Sequence, residues 1–246
     1  MAYSTNTTAF NPDLNEIFEE AYERCGLELR TGYDFRTARR SLNFLLTEWA
    51  NRGINLWTIE QGFVNLEQGV TTYDLPLDTV DLVEHVIRTF SNDGPNQTDL
   101  NITRISVSTY STIPNKLAQG RPIQVWINRQ SGQKIGSNVA IPKAPQINVW
   151  PAPDQGTQAQ PYYVFYYWRL KRIYDAGNGD NIIDIPFRML EALTAGLAYR
   201  IAVKKPEVSP ERVTGLKALY DESWDLAAGE DREKAADRFV PREQFF

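Results

Sequence analysis

The sequence is poor in the residues that build metal centres and disulfides. Its 246 residues include one cysteine, Cys25, and one histidine, His85. A single cysteine cannot form an internal disulfide, and together the two residues cannot supply the ligand set of a zinc site. We therefore expect no disulfide framework, no metal site and no cofactor. Isolated residues of these two types are usually packed for structure.

Long apolar runs and an excess of positive charge are absent as well. No run approaches the roughly 20 apolar residues that cross a bilayer. The opening MAYSTNTTAFNP has neither the basic start nor the apolar core of a secretory signal. The formal net charge of −5 argues against broad neutralisation of nucleic-acid phosphates. We expect a protein without a membrane span that stays in the cytoplasm where it is made.

The residues that are present indicate two kinds of structure. Hydrophobic residues make up 42% of the chain, which is enough for one sizeable core or two smaller ones. Helical periodicity occurs near both ends of the chain, and the middle alternates like strands. The predicted class is α+β: a discontinuous four-helix bundle (residues 1–55 and 184–228), an inserted β-sheet or barrel-like domain (residues 56–183) and an extended C-terminal arm (residues 229–246).

Local signals place the four helices. The first is predicted to start near Asn11-Pro12-Asp13 and to end at Gly26, and the second runs from about Asp34 to Arg52. The third follows Pro186, and the fourth starts at Ser209-Pro210, a cap followed by a proline in the first turn. Each carries an apolar stripe that it cannot cover alone, so the four helices are expected to pack together.

Two patterns stand out in the predicted β domain. Leu56–Leu66 and Val70–Leu75 flank Glu67-Gln68-Gly69, which predicts a hairpin. The run Tyr162–Trp168 is apolar on both strand faces, which an exposed sheet would not tolerate. One face should pack inside, and the other against another subunit or a second sheet of the same domain. The alternative interpretation of this aromatic run is a surface on which the bases of single-stranded nucleic acid stack.

Several titratable residues could act in catalysis, but each also has a structural interpretation. Glu19, Glu20 and Glu23 could be imagined as an acid and base pair for sugar cleavage, but they alternate with the apolar stripe as a solvated face does. His85 has no nucleophile identifiable beside it. We therefore predict no catalytic residues and no enzymatic activity.

Four phrases carry a resemblance to a known family. They are LLTEWANRGINLW (Leu45–Trp57), SVSTYSTIPNKLAQGRP (Ser106–Pro122), INVWPAPD (Ile147–Asp154) and DIPFRMLEALTAGLAYRIA (Asp184–Ala202). In this order they resemble the head-to-tail adaptors of podovirus-type phages, also called tubular tail protein A, which include the tail accessory factors that seat on the portal. The resemblance covers almost the whole chain. None of the phrases is a catalytic signature.

The resemblance implies a structural role in the virion. Members are helical bundles with a β insertion that form a twelve-subunit ring between the portal and the tail nozzle. It therefore implies a homo-oligomeric, dodecameric connector at the head-tail junction whose partners are the portal protein, the nozzle protein and, in some cases, tail fibres. DNA would pass through its channel without specific binding. The alternative is a virion-associated binding module that recognises a carbohydrate or a tail protein through its aromatic β domain.

The resemblance also suggests where partners bind. The C-terminal segments of members reach up to the portal, and four apolar residues of the matching segment have few local means of burial. The portal-binding candidates are therefore Phe239, Val240, Phe245 and Phe246. Arg36, Arg39 and Arg40 could meet DNA, acidic groups of the portal or carboxylates of a neighbouring subunit. We favour the neighbour, so the subunit-interface candidates are Arg36, Arg39, Arg40, Tyr163, Phe165 and Tyr167.

Overall fold

The α+β class is confirmed. The computed structural model describes residues 10–53, 56–90, 97–129 and 143–231. Within these residues there are five α-helices and two four-stranded β-sheets. By its internal contacts the chain divides into two units, one formed from Met1–Trp57 and Ile173–Phe246 and the other from Thr58–Arg172. We refer to them as the helical unit and the β unit.

Four of the helices belong to the helical unit and one short helix to the β unit. In chain order they are α1 (Leu14–Cys25), α2 (Gly32–Asn51), α3 (Val107–Ser111), α4 (Leu190–Ala202) and α5 (Pro210–Glu230). A short 3-10 turn, Phe187–Met189, leads into α4. Long helices therefore form in all four segments where the periodicity predicts them. The last of them continues through residue 230, so the first two residues of the predicted arm are helical.

The ends of α1 follow from its sequence. The Asp13 carboxylate accepts the backbone N–H of Glu16 at 2.9 Å, and the Glu16 side chain accepts the N–H of Asp13 in return. This reciprocal pair satisfies two amide donors that the start of a helix leaves free. Gly26 ends the helix with φ of 75°, a left-handed conformation that residues with a side chain rarely adopt.

Helix α4 lies at the centre of the helical unit and contacts α1, α2 and α5. Every residue from Ala192 to Ala198 is buried, so α4 is covered on all sides rather than along one stripe. Around it, the indole N–H of Trp49 donates to the Tyr220 hydroxyl at 3.0 Å. Small residues in the buried part of α4 allow its three neighbours to approach closely, which accounts for the four alanines and one glycine of the helix.

Eight strands form the described part of the β unit. They are β1 (Ile59–Leu66), β2 (Thr72–Asp74), β3 (Thr79–Phe90), β4 (Gln97–Asn101), β5 (Thr103–Arg104), β6 (Gln124–Asn128), β7 (Gln146–Trp150) and β8 (Tyr163–Lys171). One sheet has the order β1-β8-β3-β4 and is antiparallel throughout. The other has the order β2-β7-β6-β5, in which β5 and β6 run parallel. Inner-face residues of both sheets share one hydrophobic core.

Two details of the predicted β domain are corrected. Over the described strands the sheets are open and do not close into a barrel. The predicted hairpin does not form, because β1 pairs with β8 while β2 joins the other sheet beside β7. The turn between them binds a distant loop instead: the N–H of Gln68 donates to Gly156 O at 3.0 Å, and that of Gly69 to Pro153 O at 2.9 Å.

The β unit begins and ends on neighbouring strands. β1 starts directly after Thr58, and β8 ends directly before Arg172. The two strands are antiparallel, with Ile59 opposite Leu170. The unit therefore leaves and rejoins the helical segments at adjacent points. Residues 173–183, which the sequence pattern places in the insert, belong to the helical unit by their contacts.

Candidate interface surfaces

The first candidate surface is the outer face of α2. Arg36, Arg39 and Arg40 are all exposed and line a shallow hollow of about 440 Å³ together with Phe44. No ion pair reaches any of the three arginines within the part of the chain that the structure describes. Phe44 is 57% exposed. We call these four residues the arginine face. It is a concentrated positive surface with an aromatic ring at one end.

Neighbouring cations add to this positive surface. Lys204 donates to the Ser41 hydroxyl at 2.8 Å, and burial, with smaller contributions from Arg40 and Arg200, lowers its pKa. Two other arginines nearby are paired, because Arg52 and Arg200 share the carboxylate of Glu48. These pairs also hold the pKa of Glu48 below its usual value, against the effect of its burial. The unpaired charge is therefore concentrated on the arginine face.

The second candidate surface is a groove of about 690 Å³ between α1 and the start of α4. Ile17 and Leu190 lie along it, and two strongly exposed aromatic rings, Phe10 and Phe187, border it. The other lining residues include five carboxylates and one arginine: Glu16, Glu19, Glu20, Glu23, Glu191 and Arg24. We call it the acidic groove. Its apolar rings and carboxylates form a surface suited to a basic, partly aromatic partner.

The aromatic strand β8 presents different residues from those predicted. Tyr163, Phe165 and Tyr167 are only 4%, 0% and 3% exposed and belong to the core between the two sheets. They were predicted at a subunit interface, but the second sheet of the same unit covers them. The opposite face carries Tyr166 and Trp168, both partly exposed. The burial of the first three rings therefore leaves them unavailable to another subunit.

The outer face of this sheet is the third candidate surface. Phe63 of β1 is 60% exposed, and its ring centroid lies 5.7 Å from that of Tyr166. The guanidinium of Arg88 lies 4.0 Å above the Tyr166 ring and also binds the carboxylate of Asp99 at 2.7 Å. This ion pair lowers the pKa of Asp99. The result is a flat aromatic patch bordered by a fixed cation.

The predicted portal-binding residues Phe239, Val240, Phe245 and Phe246 lie outside the described residues. The point from which their segment departs is well defined. Asp231, which follows α5, is 9% exposed. Its carboxylate accepts the N–H of Leu56 at 2.9 Å and a hydrogen bond from Arg188. The end of α5 is thereby tied to two other parts of the helical unit.

Cys25 and His85 both have structural surroundings. Cys25 is buried, its thiol donates to Ala198 O at 3.1 Å, and burial raises its pKa to about 11. His85 packs against Phe165 with ring centroids 5.7 Å apart, and burial lowers its pKa. Across the described ranges, no group of three or more histidine, cysteine or acidic residues is arranged to hold a metal ion. None of the described helices has the length and apolar character to cross a membrane.

A comparison with protein families decides the broad identity. The model of the SU10 adaptor protein family matches residues 4–242. The chain belongs to the SU10 adaptor protein family. The resemblance found from the four phrases to a phage head-to-tail adaptor is therefore confirmed. A search of curated proteins gave no match for this adaptor.

Family membership assigns the adaptor a general role. It is a phage adaptor protein, a structural component of the virion, and its family points to a structural rather than a catalytic function. The sequence pattern identified the arginine face but missed the acidic groove, because the carboxylates of α1 resemble any solvated helix face. The signal that could have found it is Phe187, an aromatic residue that lies in the turn before α4 and off the apolar stripe of that helix.

Proposed function

We propose that the adaptor forms a ring at the head-tail junction, between the portal protein and the tail nozzle, with the DNA channel at its centre. The observation that carries the proposal is the family match over residues 4–242. The surfaces of the helical unit support it, because a single copy leaves three arginines and several large aromatic residues exposed. Such surfaces are typical of proteins that bury them on a partner.

In this proposal the two units have separate tasks. The helical unit contacts neighbouring copies in a dodecamer, and the C-terminal segment with Phe239, Val240, Phe245 and Phe246 docks on the portal. Asp231 supports a docking role for this segment, since it fixes the position from which the segment starts. The aromatic patch around Phe63 and Tyr166 suits a second protein surface, the nozzle or a tail fibre. DNA slides through the channel, which the net charge of −5 favours over tight phosphate binding.

The test is the mass of the assembled protein. We expect the purified full chain to remain small alone and to assemble into a dodecameric ring when mixed with the portal protein, as native mass spectrometry would show. A variant with Phe239, Phe245 and Phe246 changed to serine should keep the fold and lose portal binding. The matched control is Leu117→Ser, which alters an exposed apolar residue of the β unit. A stable monomer that ignores the portal would contradict the proposal.

A further inference from the structure

The acidic groove retains carboxylates that its own unit does not neutralise. Arg24 already binds Glu20 at 2.7 Å and Glu191 at 2.6 Å. Within the described chain, Glu19 and Glu23 have no ion-pair or side-chain hydrogen-bond partner, and both are exposed. They lie four residues apart on α1, which places their β-carbons about 6 Å apart on the same helix face. The groove therefore offers two free negative charges in a row beside apolar rings.

The arginine face offers the complementary pattern. Arg36 and Arg40 are also four residues apart on one helix, so their spacing matches that of Glu19 and Glu23. Arg36 has only a weak local contact, its Nε–H donating to the carbonyl of Gly32 at 3.2 Å. Arginine binds carboxylates through two parallel hydrogen bonds, which makes two such pairs in register a specific recognition pattern.

The apolar residues complement one another as well. Phe44, 57% exposed, follows Arg40 by one turn of α2. The groove provides two exposed rings, Phe10 and Phe187, with the partly buried Leu190 also in its lining. An interface with aromatic residues at its centre and charged pairs at its edge has the composition of stable protein contacts. Both surfaces belong to the helical unit, and they share no residue.

We infer that the arginine face of one copy docks in the acidic groove of the next copy, with Arg36 and Arg40 facing Glu19 and Glu23 and Phe44 entering between the rings. The inference rests on the ring of the proposed function and names the contact that closes it. A cyclic ring needs two different patches on every subunit, one for each neighbour. The two surfaces meet this requirement because they lie on different helices and share no residue.

A second copy explains more of the surface than other occupants do. DNA or an acidic portal surface would neutralise the arginines but would leave the groove with its carboxylates and rings exposed. A basic partner would fill the groove but leave the arginine face uncovered. Contact between copies covers both surfaces and balances their charges.

The experiment reverses the charges on one surface at a time in the full chain. Variant A carries Glu19→Lys and Glu23→Lys, and variant B carries Arg36→Glu and Arg40→Glu. Each alone should fail to form rings with the portal protein under conditions in which the unmodified chain assembles. The loss should be at least about tenfold in self-association for each reversed pair. An equimolar mixture of A and B should assemble again, as alternating rings with equal numbers of each variant.

Mass spectrometry of the mixture separates the outcomes. Assembly of variant A or variant B alone, as efficient as that of the unmodified chain, would overturn the inference, and so would a mixture that stays unassembled. Failure of the unmodified chain to form rings would overturn the proposed function itself and this contact with it. Circular dichroism establishes that each variant is folded. If a reversal unfolds the chain, Glu19→Gln with Glu23→Gln and Arg36→Gln with Arg40→Gln replace it, and each of these variants alone must weaken assembly.

The matched control reverses the same number of charges at the same spacing elsewhere. Asp221→Lys with Asp225→Lys alters two exposed residues of α5 that belong to neither surface. This variant should assemble like the unmodified chain. Equal loss of assembly in this control would show that the rings respond to overall charge and would count against the assigned contact.

Discussion

At the scale of single residues, Gly196 shows what the packing of α4 demands. A β-carbon at this position would lie 2.7 Å from Cε2 of Tyr220 and 3.1 Å from Cδ1 of Leu45. The Tyr220 ring cannot easily move away, because it is buried and its hydroxyl is bound to Trp49 and to Glu48. Glycine is therefore required by close contact between helices, at a cost in helix propensity.

We predict that Gly196→Ala destabilises the helical unit. Alanine would favour a helix over glycine by about 1 kcal/mol, but overpacking of a rigid core costs about 1–3 kcal/mol. The contact distances below 3.0 Å indicate that the steric cost is the larger effect. Urea unfolding followed by circular dichroism would measure the change.

Gly215 provides the control for this substitution. It lies within α5, it is exposed, and no atom would come within 4 Å of an added β-carbon. Gly215→Ala should therefore raise the free energy of unfolding by roughly 0.5–1 kcal/mol. If both alanine variants were more stable than the unmodified chain, the steric account of Gly196 would be wrong.

At the scale of elements, strand β8 contains a buried cation. The side chain of Arg169 is 8% exposed, and it binds the carboxylates of Asp78 at 2.6 Å and Glu60 at 2.7 Å. It also donates to the Thr79 hydroxyl at 2.9 Å. A buried charge is tolerated only when it is paired in this way. Through this ion pair β8 is joined by side chains to β1 and to the segment that leads into β3.

We predict that Arg169→Met weakens the β unit and changes its response to acid. Arg169 lowers the pKa of Asp78, so the pair stabilises the fold fully above about pH 4, the ordinary value for a carboxyl group. That contribution is lost as the pH falls through the lowered pKa of the folded state. The loss of the pair should cost roughly 1–3 kcal/mol at neutral pH, less than for a fully buried pair, because the Asp78 side chain remains 34% exposed.

Urea midpoints at neutral and acidic pH would test this prediction. The variant should lose less stability than the unmodified chain on acidification, since it lacks the interaction that protonation removes. Arg30→Met serves as a control because Arg30 and Glu28 form a pair that is more than two-thirds exposed, and its effect should stay within about 0.5 kcal/mol. An unchanged midpoint and an unchanged acid response in Arg169→Met would refute the role of the pair.

The same strand explains where sequence reasoning failed at this scale. The ends of the helices were predictable because caps such as Asp13 and Ser209 act within a few residues. The inner face of β8 could not be predicted from the sequence, because both faces of the strand are aromatic and the inner one also carries Arg169. Only carboxylates far away in the chain make that charge tolerable inside. The predicted hairpin failed for a similar reason, because β1 pairs with β8 and β2 with β7, and both partners lie far away in the chain.

At the scale of the whole molecule, the order of helical, β and helical segments follows from the change of hydrophobic period along the chain. The complementarity of the acidic groove and the arginine face could not be predicted from that change of period. The acidic groove joins Phe10 near one end of the sequence to Phe187 in the other helical segment, and only the fold brings them together. The arginine face was identified because its residues lie within one helix.

We predict that the β unit is dispensable for the folding of the helical unit. Its ends lie on paired strands, with Ile59 opposite Leu170, so the connections are only about 5 Å apart. A short glycine-serine linker in place of residues 58–172 should leave a protein with a strong helical circular dichroism signal and cooperative thermal unfolding. Insertions whose ends lie close together are commonly tolerated in this way.

The reverse experiment provides the comparison. Residues 58–172 expressed alone have their own core between two sheets and should unfold cooperatively as well. A shortened helical protein without cooperative unfolding would show that the two units fold only together. Retained assembly of the shortened protein with the portal would further indicate that the contacts between copies belong to the helical unit.

The pairing of β1 with β8 also determines how such a protein can diversify. The β unit starts and ends on two adjacent strands. Its length therefore does not change the separation of the points at which it joins the helical unit. Residues can be inserted, deleted or replaced within the β unit while the geometry of the helices stays the same. The β unit can thus be exchanged in evolution while the framework of the helical unit is kept.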